Sequence, residues 1–252
     1  MIASLTMYDW PELGPEHDRL WGHIRAALAD EGLNGPEALT RGGDVWRHWR
    51  DPGLILGQTC GMPYRTRLYP HVRLVGTLDY GLPDTAPGYY YSHLIARADD
   101  PRTLDALVGG TLAFNGQDSQ SGWAAPQNHV APRRFDTILE TGAHRESARA
   151  VADGRADIAA IDAVTWRLIV THLPGVAERL RTVAFTEPTP GLPLVTARQN
   201  DPVPIARAVR SALARLGAAD RDALGLVGMA TIPHDAYAAV PVPTPPTPNS
   251  TA

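Results

Sequence analysis

The sequence contains no lysine, and all 23 of its basic residues are arginine. This absence excludes a phosphate-loop lysine, a Schiff-base lysine and an internal aldimine with pyridoxal phosphate. The single cysteine, Cys60, excludes an internal disulfide and any cysteine cluster for zinc or iron–sulfur. These shortages remove several classes of enzyme and metalloprotein before any motif is considered, and no cofactor is expected.

Charge and hydrophobicity exclude further classes of protein. The formal net charge is −4, and the arginines form no block, so neither nucleic acid nor an anionic membrane surface is an expected partner. No apolar run approaches the roughly 18 residues that a membrane-spanning helix requires, which predicts no membrane insertion. The 252 residues are enough for one large domain or two smaller lobes.

The two ends of the chain carry separate predictions. Residues 1–8 have neither a basic segment nor a small-residue cleavage site, so the sequence as it stands predicts a cytoplasmic protein. A periplasmic location would follow if a leader had been removed. Residues 240–252 are rich in proline and threonine and predict a flexible tail, with a proline-rich docking motif as the alternative.

Short apolar segments alternate with amphipathic ones along the chain, which predicts an α/β fold with largely parallel sheets. Strands are predicted over residues 2–7, 54–56, 72–78, 89–96, 111–114, 157–161, 183–185 and 192–197. Helices are predicted over residues 15–31, 144–153, 163–172, 202–216 and 220–226. Ligands of such sheets bind where strands end and helices begin, and the polar segments of this chain lie at those junctions.

The most polar junction is Asn115–Gly122, which follows a strand and precedes a helix starting near Trp123. Ser119, Gln120, Ser121 and Gly122 would place hydroxyls and backbone N–H groups at a helix N-terminus, where the dipole favours an anion. One serine there could equally serve as a simple helix cap. Because the polar run exceeds what one cap needs, it favours anion binding.

Three further junctions offer candidate residues. His144 starts a helix after Thr141-Gly142-Ala143, where it could face an anion or simply cap its own helix. Asp162 ends a buried strand, where it could bind a ligand or cap the next helix. Tyr8 follows the first strand and could line a pocket or only pack.

Cys60 lies in a fourth junction, Gly57-Gln58-Thr59-Cys60-Gly61, and is either a nucleophile or a small half-buried side chain. The histidines form no i,i+4 pair and no metal-ligand spacing, so no metal site is expected. There is no G-x-S-x-G, no G-x-G-x-x-G after a strand and no H-E-x-x-H. The motifs therefore give little support to a hydrolase.

The run of residues 141–166, TGAHRESARAVADGRADIAAIDAVTW, resembles the phosphate- and phosphonate-binding branch of the type 2 periplasmic solute-binding proteins of ABC transporters. The loop with Ser119, Ser121 and Gly122 resembles the anion loop of that family. The resemblance implies a two-lobed α/β fold with a ligand cleft between the lobes. Its implied boundaries are residues 1–90 with 187–239 for the first lobe and 91–186 for the second, which leaves the proline-rich tail at residues 240–252.

The same resemblance implies roles for individual residues. Ser119, Ser121 and His144 would bind the oxyanion of a phosphonate, phosphate, sulfonate or carboxylate ligand. Asp162 would accept hydrogen bonds from an amine or hydroxyl of the ligand, and Tyr8 and Thr59 would add contacts from the first lobe. The expected partners are a small anionic solute and an ABC transporter permease.

Two other functions remain open at this level. Related folds include cytosolic enzymes such as chorismate dehydratase, so a lyase acting on a small carboxylate is the alternative to a solute-binding protein. In that case His144, Asp162 and the serines would act as acid, base and anion holders. A sensor that couples ligand binding to a partner protein is a third hypothesis.

Overall fold

A computed structural model of the chain describes residues 1–245 and divides them into two units. Unit 1 consists of Met1–Tyr89 and Pro190–Ala239, and unit 2 consists of Tyr90–Thr189 with the described residues from Val240 onward. A flexible tail was predicted over residues 240–252. Residues 246–252 of that tail lie outside the described residues. Within the described part, the carbonyl of Pro241 accepts a hydrogen bond from Asn128 Nδ2 at 3.1 Å.

Unit 1 is built on a five-stranded mixed sheet. Its strands are β1 (Ile2–Ser4), β2 (Leu54–Gln58), β3 (Val72–Asp79), β11 (Pro193–Ala197) and β12 (Gly228–Ala230), in the order β1-β2-β11-β3-β12. Its helices are α1 (Gly14–Asp30), α2 (Val45–Arg50), α3 (Gly61–Pro63), α9 (Pro202–Arg215), α10 (Ala218–Leu224) and α11 (His234–Ala238). A π-helical turn, Tyr64–Leu68, and a 3-10 turn, Tyr69–His71, continue α3.

Helix α1 confirms the periodicity seen in the sequence. The predicted apolar stripe of Leu20, Ile24, Ala27 and Leu28 is buried, because these side chains recur at helical spacing on one face. The helix packs against α9, and Arg207 of α9 forms an ion pair with Glu31 at 2.6 Å. One hydrophobic core cluster of unit 1 includes Trp49, Leu54, Tyr64, Leu68, Val195 and Tyr237.

Unit 2 is built on a second five-stranded mixed sheet. Its strands are β5 (Ser92–Arg97), β6 (Thr111–Phe114), β7 (Thr137–Glu140), β8 (Ile158–Asp162) and β9 (Leu180–Phe185), in the order β7-β6-β8-β5-β9. Its helices are α4 (Leu104–Leu107), α5 (Ala125–Val130), α6 (His144–Ala152), α7 (Ala163–His172) and α8 (Pro174–Ala177). A separate two-stranded sheet pairs β4 (Tyr89–Tyr90) with β10 (Thr189–Pro190).

The prediction of largely parallel sheets is wrong. β6 is parallel to both β7 and β8, but β5 is antiparallel to β8 and β9, and β11 is antiparallel to β2 and β3. Alternation of strands and helices predicts parallel pairing only for strands that a helix connects as neighbours. A strand that joins a sheet from a distant part of the chain, as β11 does between β2 and β3, is free to run the opposite way.

Several element boundaries also differ from the predictions. The first strand ends at Ser4 and not at residue 7, and the strand predicted over residues 89–96 is divided into β4 and β5. The helix predicted over residues 220–226 lies at Ala218–Leu224 and ends at Gly225, whose φ of 64° is left-handed. The short helices α2, α3 and α11 were not predicted, because fewer than two turns give little periodicity.

In the part of the chain that the structure describes, no helix combines the length and the apolar character needed to cross a membrane.

The contact between helix α11 and strand β3 generates a stability prediction. The Tyr237 hydroxyl and Thr77 Oγ1 lie 2.5 Å apart, and both residues are buried. The substitution Tyr237→Phe would leave the Thr77 hydroxyl without this partner, so we expect a loss of about 1–3 kcal/mol in the free energy of unfolding. Urea denaturation measures this loss.

Tyr69→Phe is the matched control, because that ring is 45% exposed. Adding Thr77→Val to Tyr237→Phe should recover part of the loss, because the unpaired hydroxyl is then gone. A Tyr237→Phe variant as stable as the wild type would refute this account of the contact.

Candidate anion site

The carboxyl ends of three neighbouring strands bring the candidate residues of unit 2 together. β6 pairs in parallel with β7 and with β8, so the loops that follow all three strands leave the same edge of the sheet. Ser119–Gly122 follow β6, His144 follows β7, and Asp162 is the last residue of β8. Parallel pairing thus unites residues as far apart in sequence as Ser119 and Asp162.

The loop after β6 leads into a π-helical turn, Gln120–Ala124, which continues into α5. Ser119 caps this turn, because its Oγ accepts a hydrogen bond from the Gly122 N–H at 2.9 Å. The helix-cap alternative is therefore observed for Ser119. A hydroxyl that accepts one hydrogen bond still carries a proton to donate, so the cap leaves Ser119 able to bind an anion. Gln120 and Ser121 are also buried, at 1% and 6% exposure.

The loop after β7 places His144 as the first residue of α6. Gly142 has a φ of 82°, a left-handed conformation that glycine adopts without strain. Thr141 Oγ1 lies 2.7 Å from Ser147 Oγ and donates to the Phe114 carbonyl at 3.0 Å, which ties the turn to β6 and α6. Ala143, at the N-cap position, has no polar side chain with which to cap the first N–H groups of α6.

The His144 ring is the centre of the group. Its Nε2 lies 2.8 Å from Ser121 Oγ and 3.4 Å from Asp162 Oδ2. Asp162 Oδ1 meanwhile accepts a hydrogen bond from the Thr165 N–H at 2.9 Å, so this carboxylate also caps α7. We call Ser119, Ser121, Gly122, His144 and Asp162 the anion cluster.

Burial controls the charge of His144. The side chain is 11% exposed, and burial lowers the pKa of the imidazole, although the Asp162 carboxylate and the Ala160 carbonyl act to raise it. The ring is therefore neutral at pH 7. A bound anion would replace the missing solvation of the protonated ring, so its arrival would favour proton uptake.

The close packing of Gly122 explains why a glycine occupies this position. A Cβ atom there would overlap Asn115 Oδ1 and would lie 3.2 Å from His144 Cε1. The missing side chain lets the backbone approach the His144 ring, and it leaves the Gly122 N–H directed at Ser119.

The geometry does not match a Ser-His-Asp catalytic triad. In a triad the nucleophile and the acid bind opposite nitrogens of the imidazole, so that the ring passes on a proton. Here Ser121 and Asp162 both face Nε2 of His144. The arrangement suits the binding of an oxyanion by hydroxyls, ring nitrogen and the N–H groups of a helix start.

Tyr8 and Thr59 belong to unit 1. The Tyr8 ring packs edge-on against Tyr80 with centroids 5.1 Å apart, and the Tyr80 hydroxyl accepts a hydrogen bond from Gln58 Nε2 at 3.2 Å. Thr59 is fully buried and donates to the Cys60 carbonyl at 3.3 Å. A ligand contact for Tyr8 or Thr59 stays a prediction. Cys60 itself is half-buried.

Metal binding finds no support within the part of the chain that is described. Residues 1–245 contain no group of three or more histidine, cysteine, aspartate or glutamate side chains that could hold a metal ion.

Sequence reasoning assigned no individual role to three residues that shape the candidate site: Asn115, Thr141 and Ser92. Thr141 belongs to the motif around His144 but was not assigned a role. Ser92 is the first residue of β5, and its Oγ donates to the Ser121 carbonyl at 3.1 Å. The sequence held no signal for Ser92, because its need for a hydrogen-bond partner follows from its 1% exposure, which is seen in the structure alone.

A comparison with protein-family models decides the family. Residues 72–235 match the model described as the periplasmic substrate-binding protein of a phosphonate ABC transporter. The chain belongs to this phosphonate-binding family. As a member, it has a solute-binding role, with a small ligand and an ABC transporter permease as the partners that the family implies. The match supports solute binding and not the lyase alternative.

Solved structures share the fold of this phosphonate-binding family member. PhnD1 from Prochlorococcus marinus, in complex with methylphosphonate, has a TM-score of 0.69 and 13% identity, covering 89% of this chain and 90% of its own. XAC2383 from Xanthomonas citri, bound to chloride, has a TM-score of 0.67 and 17% identity, with coverage of 92% and 94%.

A binding protein of an ABC phosphonate transporter from Pseudomonas aeruginosa has a TM-score of 0.63 and 18% identity, with coverage of 94% and 82%. These likenesses identify the type 2 periplasmic binding protein fold. A comparison with curated protein sequences finds no match.

The packing around Gly122 predicts a large effect of a small change. In Gly122→Ala the new methyl group would push Asn115 and His144 away from their places. We therefore expect a phosphonate bound at the anion cluster, with methylphosphonate as the probe, to lose at least about tenfold in affinity. Isothermal titration calorimetry measures the affinity.

Gly116→Ala in the same loop is the matched control, since the nearest atom to its Cβ is Glu140 Oε1 at 4.0 Å. Shortening Asn115 to alanine in the Gly122→Ala variant should restore part of the affinity. Equal affinities for Gly122→Ala and Gly116→Ala would contradict the packing argument.

The lowered pKa of His144 predicts a pH dependence of binding. A bound anion favours the protonated ring, so the pKa of His144 should be higher in the complex than in the free protein. Affinity should then rise as the pH falls through the pKa of the complex, by at most about tenfold per pH unit for one proton. It should level off below the lowered pKa of the free protein.

Titration calorimetry with methylphosphonate between pH 8 and pH 5 tests this dependence in wild type and His144→Gln. The ionisation of the ligand affects both proteins equally, so the ratio of their affinities isolates the histidine. A ratio that does not change with pH would count against proton uptake by His144.

Proposed function

We propose that the anion cluster of unit 2 binds the oxyanion head group of a phosphonate, phosphate or similar small solute. The observation that carries the proposal is the hydrogen bond of 2.8 Å between Ser121 Oγ and His144 Nε2, formed where two helical segments begin. Helix starts present N–H groups and a partial positive charge, and the two side chains add polar hydrogens beside them.

The composition of the cluster supports a preference for oxyanions over other solutes. Hydroxyls, N–H groups and an imidazole donate hydrogen bonds, and phosphonate and phosphate oxygens accept several at once. Asp162 is the exception, because its carboxylate only accepts. It would receive a hydrogen bond from an amine or hydroxyl of the solute, or from a protonated phosphonate oxygen.

The proposed biological role follows from the family. The protein would bind the solute outside the cytoplasm, in the periplasm, and deliver it to the permease of an ABC transporter. Tyr8 and Thr59 are proposed as further ligand contacts on the strength of the family resemblance. Gln120, buried in the loop after β6, is likewise proposed as a ligand contact.

Titration calorimetry with methylphosphonate, inorganic phosphate, methanesulfonate and acetate tests the proposal. Micromolar affinity, about −8 kcal/mol, is expected for at least one phosphorus oxyanion. A hydrogen bond to a charged group contributes about 1.5–3 kcal/mol, so Ser121→Ala should weaken binding about ten- to hundredfold.

Ser211→Ala is the matched control, because Ser211 lies in helix α9 of unit 1. Wild-type protein that binds none of the four anions would overturn the proposal. So would a Ser121→Ala variant that binds as tightly as Ser211→Ala.

A further inference from the structure

The backbone of the π-helical turn leaves one carbonyl in need of an outside donor. The Ala125 N–H donates to the Gln120 carbonyl, five residues earlier, which is the π-helical register. In this register the Ser121 carbonyl would receive its hydrogen bond from residue 126. That residue is Pro126, which has no N–H.

Ser92 supplies a donor to this carbonyl. Its Oγ donates to the Ser121 oxygen at 3.1 Å, and the Ser92 residue is 1% exposed. Buried carbonyls need partners, so this bond replaces the one that Pro126 does not make. Ser92 is the first residue of β5 and stands opposite Asp162 of β8 in the sheet register.

The backbone of Ser92 is itself held on both sides. Its N–H donates to Thr186 Oγ1 at 2.9 Å, and its carbonyl accepts from the Thr186 N–H at 2.9 Å. Thr186 is 4% exposed and directly follows β9. The Ser92 hydroxyl therefore projects from a backbone that two buried hydrogen bonds fix in place.

We propose that Ser92 is a positioning residue of the anion site. By holding the Ser121 carbonyl in place of the missing N–H of Pro126, it sets the Ser121 hydroxyl at 2.8 Å from His144 Nε2. The effect on ligand affinity rests on the proposed function, because Ser92 acts on the solute only through Ser121. The effect on the Ser121–His144 bond exists with or without a ligand.

The test asks whether a second substitution restores the ligand affinity that Ser92→Ala removes. A role of Ser92 in overall stability alone would not predict this recovery. Ser92→Ala removes the donor, and we expect affinity for methylphosphonate to fall about tenfold. Adding Pro126→Ala supplies an N–H at the position that the π register pairs with the Ser121 carbonyl. The double variant should recover most of the affinity, and Pro126→Ala alone should bind like the wild type.

Thr171→Val is the matched control. It removes a hydroxyl from the last turn of helix α7, where Thr171 Oγ1 donates to the Arg167 carbonyl at 3.0 Å. Its affinity should equal that of the wild type. Thermal unfolding of each variant checks that the proteins whose affinities are compared are folded.

A ligand-free readout separates this proposal from the proposed function. The imidazole ¹⁵N shifts of His144, identified by their loss in His144→Gln, report its hydrogen bonding. They should move in Ser92→Ala and return in Ser92→Ala/Pro126→Ala. This comparison decides the role of Ser92 even if the wild type binds none of the anions, which would overturn only the proposed function.

Two results would overturn the positioning role. One is a folded Ser92→Ala variant with wild-type affinity and unchanged His144 shifts. The other is a loss in Ser92→Ala that Pro126→Ala does not reverse, since the lost contact would then not be the one to the Ser121 carbonyl.

Discussion

The hydrogen bond between Ser121 Oγ and His144 Nε2 is the contact on which the proposed anion site depends. It forms only because β6 and β7 are parallel neighbours, so that the loop after one strand faces the helix that follows the other. Asp162 reaches the same ring nitrogen from the end of β8. The contacts of this one imidazole therefore depend on the register of three strands, and a shift of any one strand would separate these groups.

The absence of lysine gives the site its electrostatic character. The neutral donors that meet there are the Ser121 hydroxyl and the His144 imidazole, whose pKa is lowered by burial, and the Asp162 carboxylate faces the same ring nitrogen. Neutral donors of this kind are less costly to bury than an unpaired cation would be. The site can therefore be preformed without a ligand, with proton uptake by His144 available when an anion binds.

Much of the site could be predicted from the sequence, because polar residues interrupt an apolar pattern where strands end. Ser119, His144 and Asp162 do lie at strand-to-helix junctions, and Ser119 and Asp162 also cap helices. Ser92 escaped prediction, because its partner is a carbonyl that lacks a donor only in the π register. The mixed pairing of both sheets escaped for a similar reason, since hydrophobic alternation carries no strand direction.

A titration followed by two-dimensional ¹H–¹⁵N NMR spectroscopy tests the central claim most directly. Saturable binding of methylphosphonate should shift the backbone amides of Gly122 and of the first turn of α6, together with the His144 ring. Backbone amides far from the cluster in unit 2, such as those of α8, should move much less. Binding that leaves Gly122 and His144 unchanged while other amides shift would place the anion elsewhere and contradict the account.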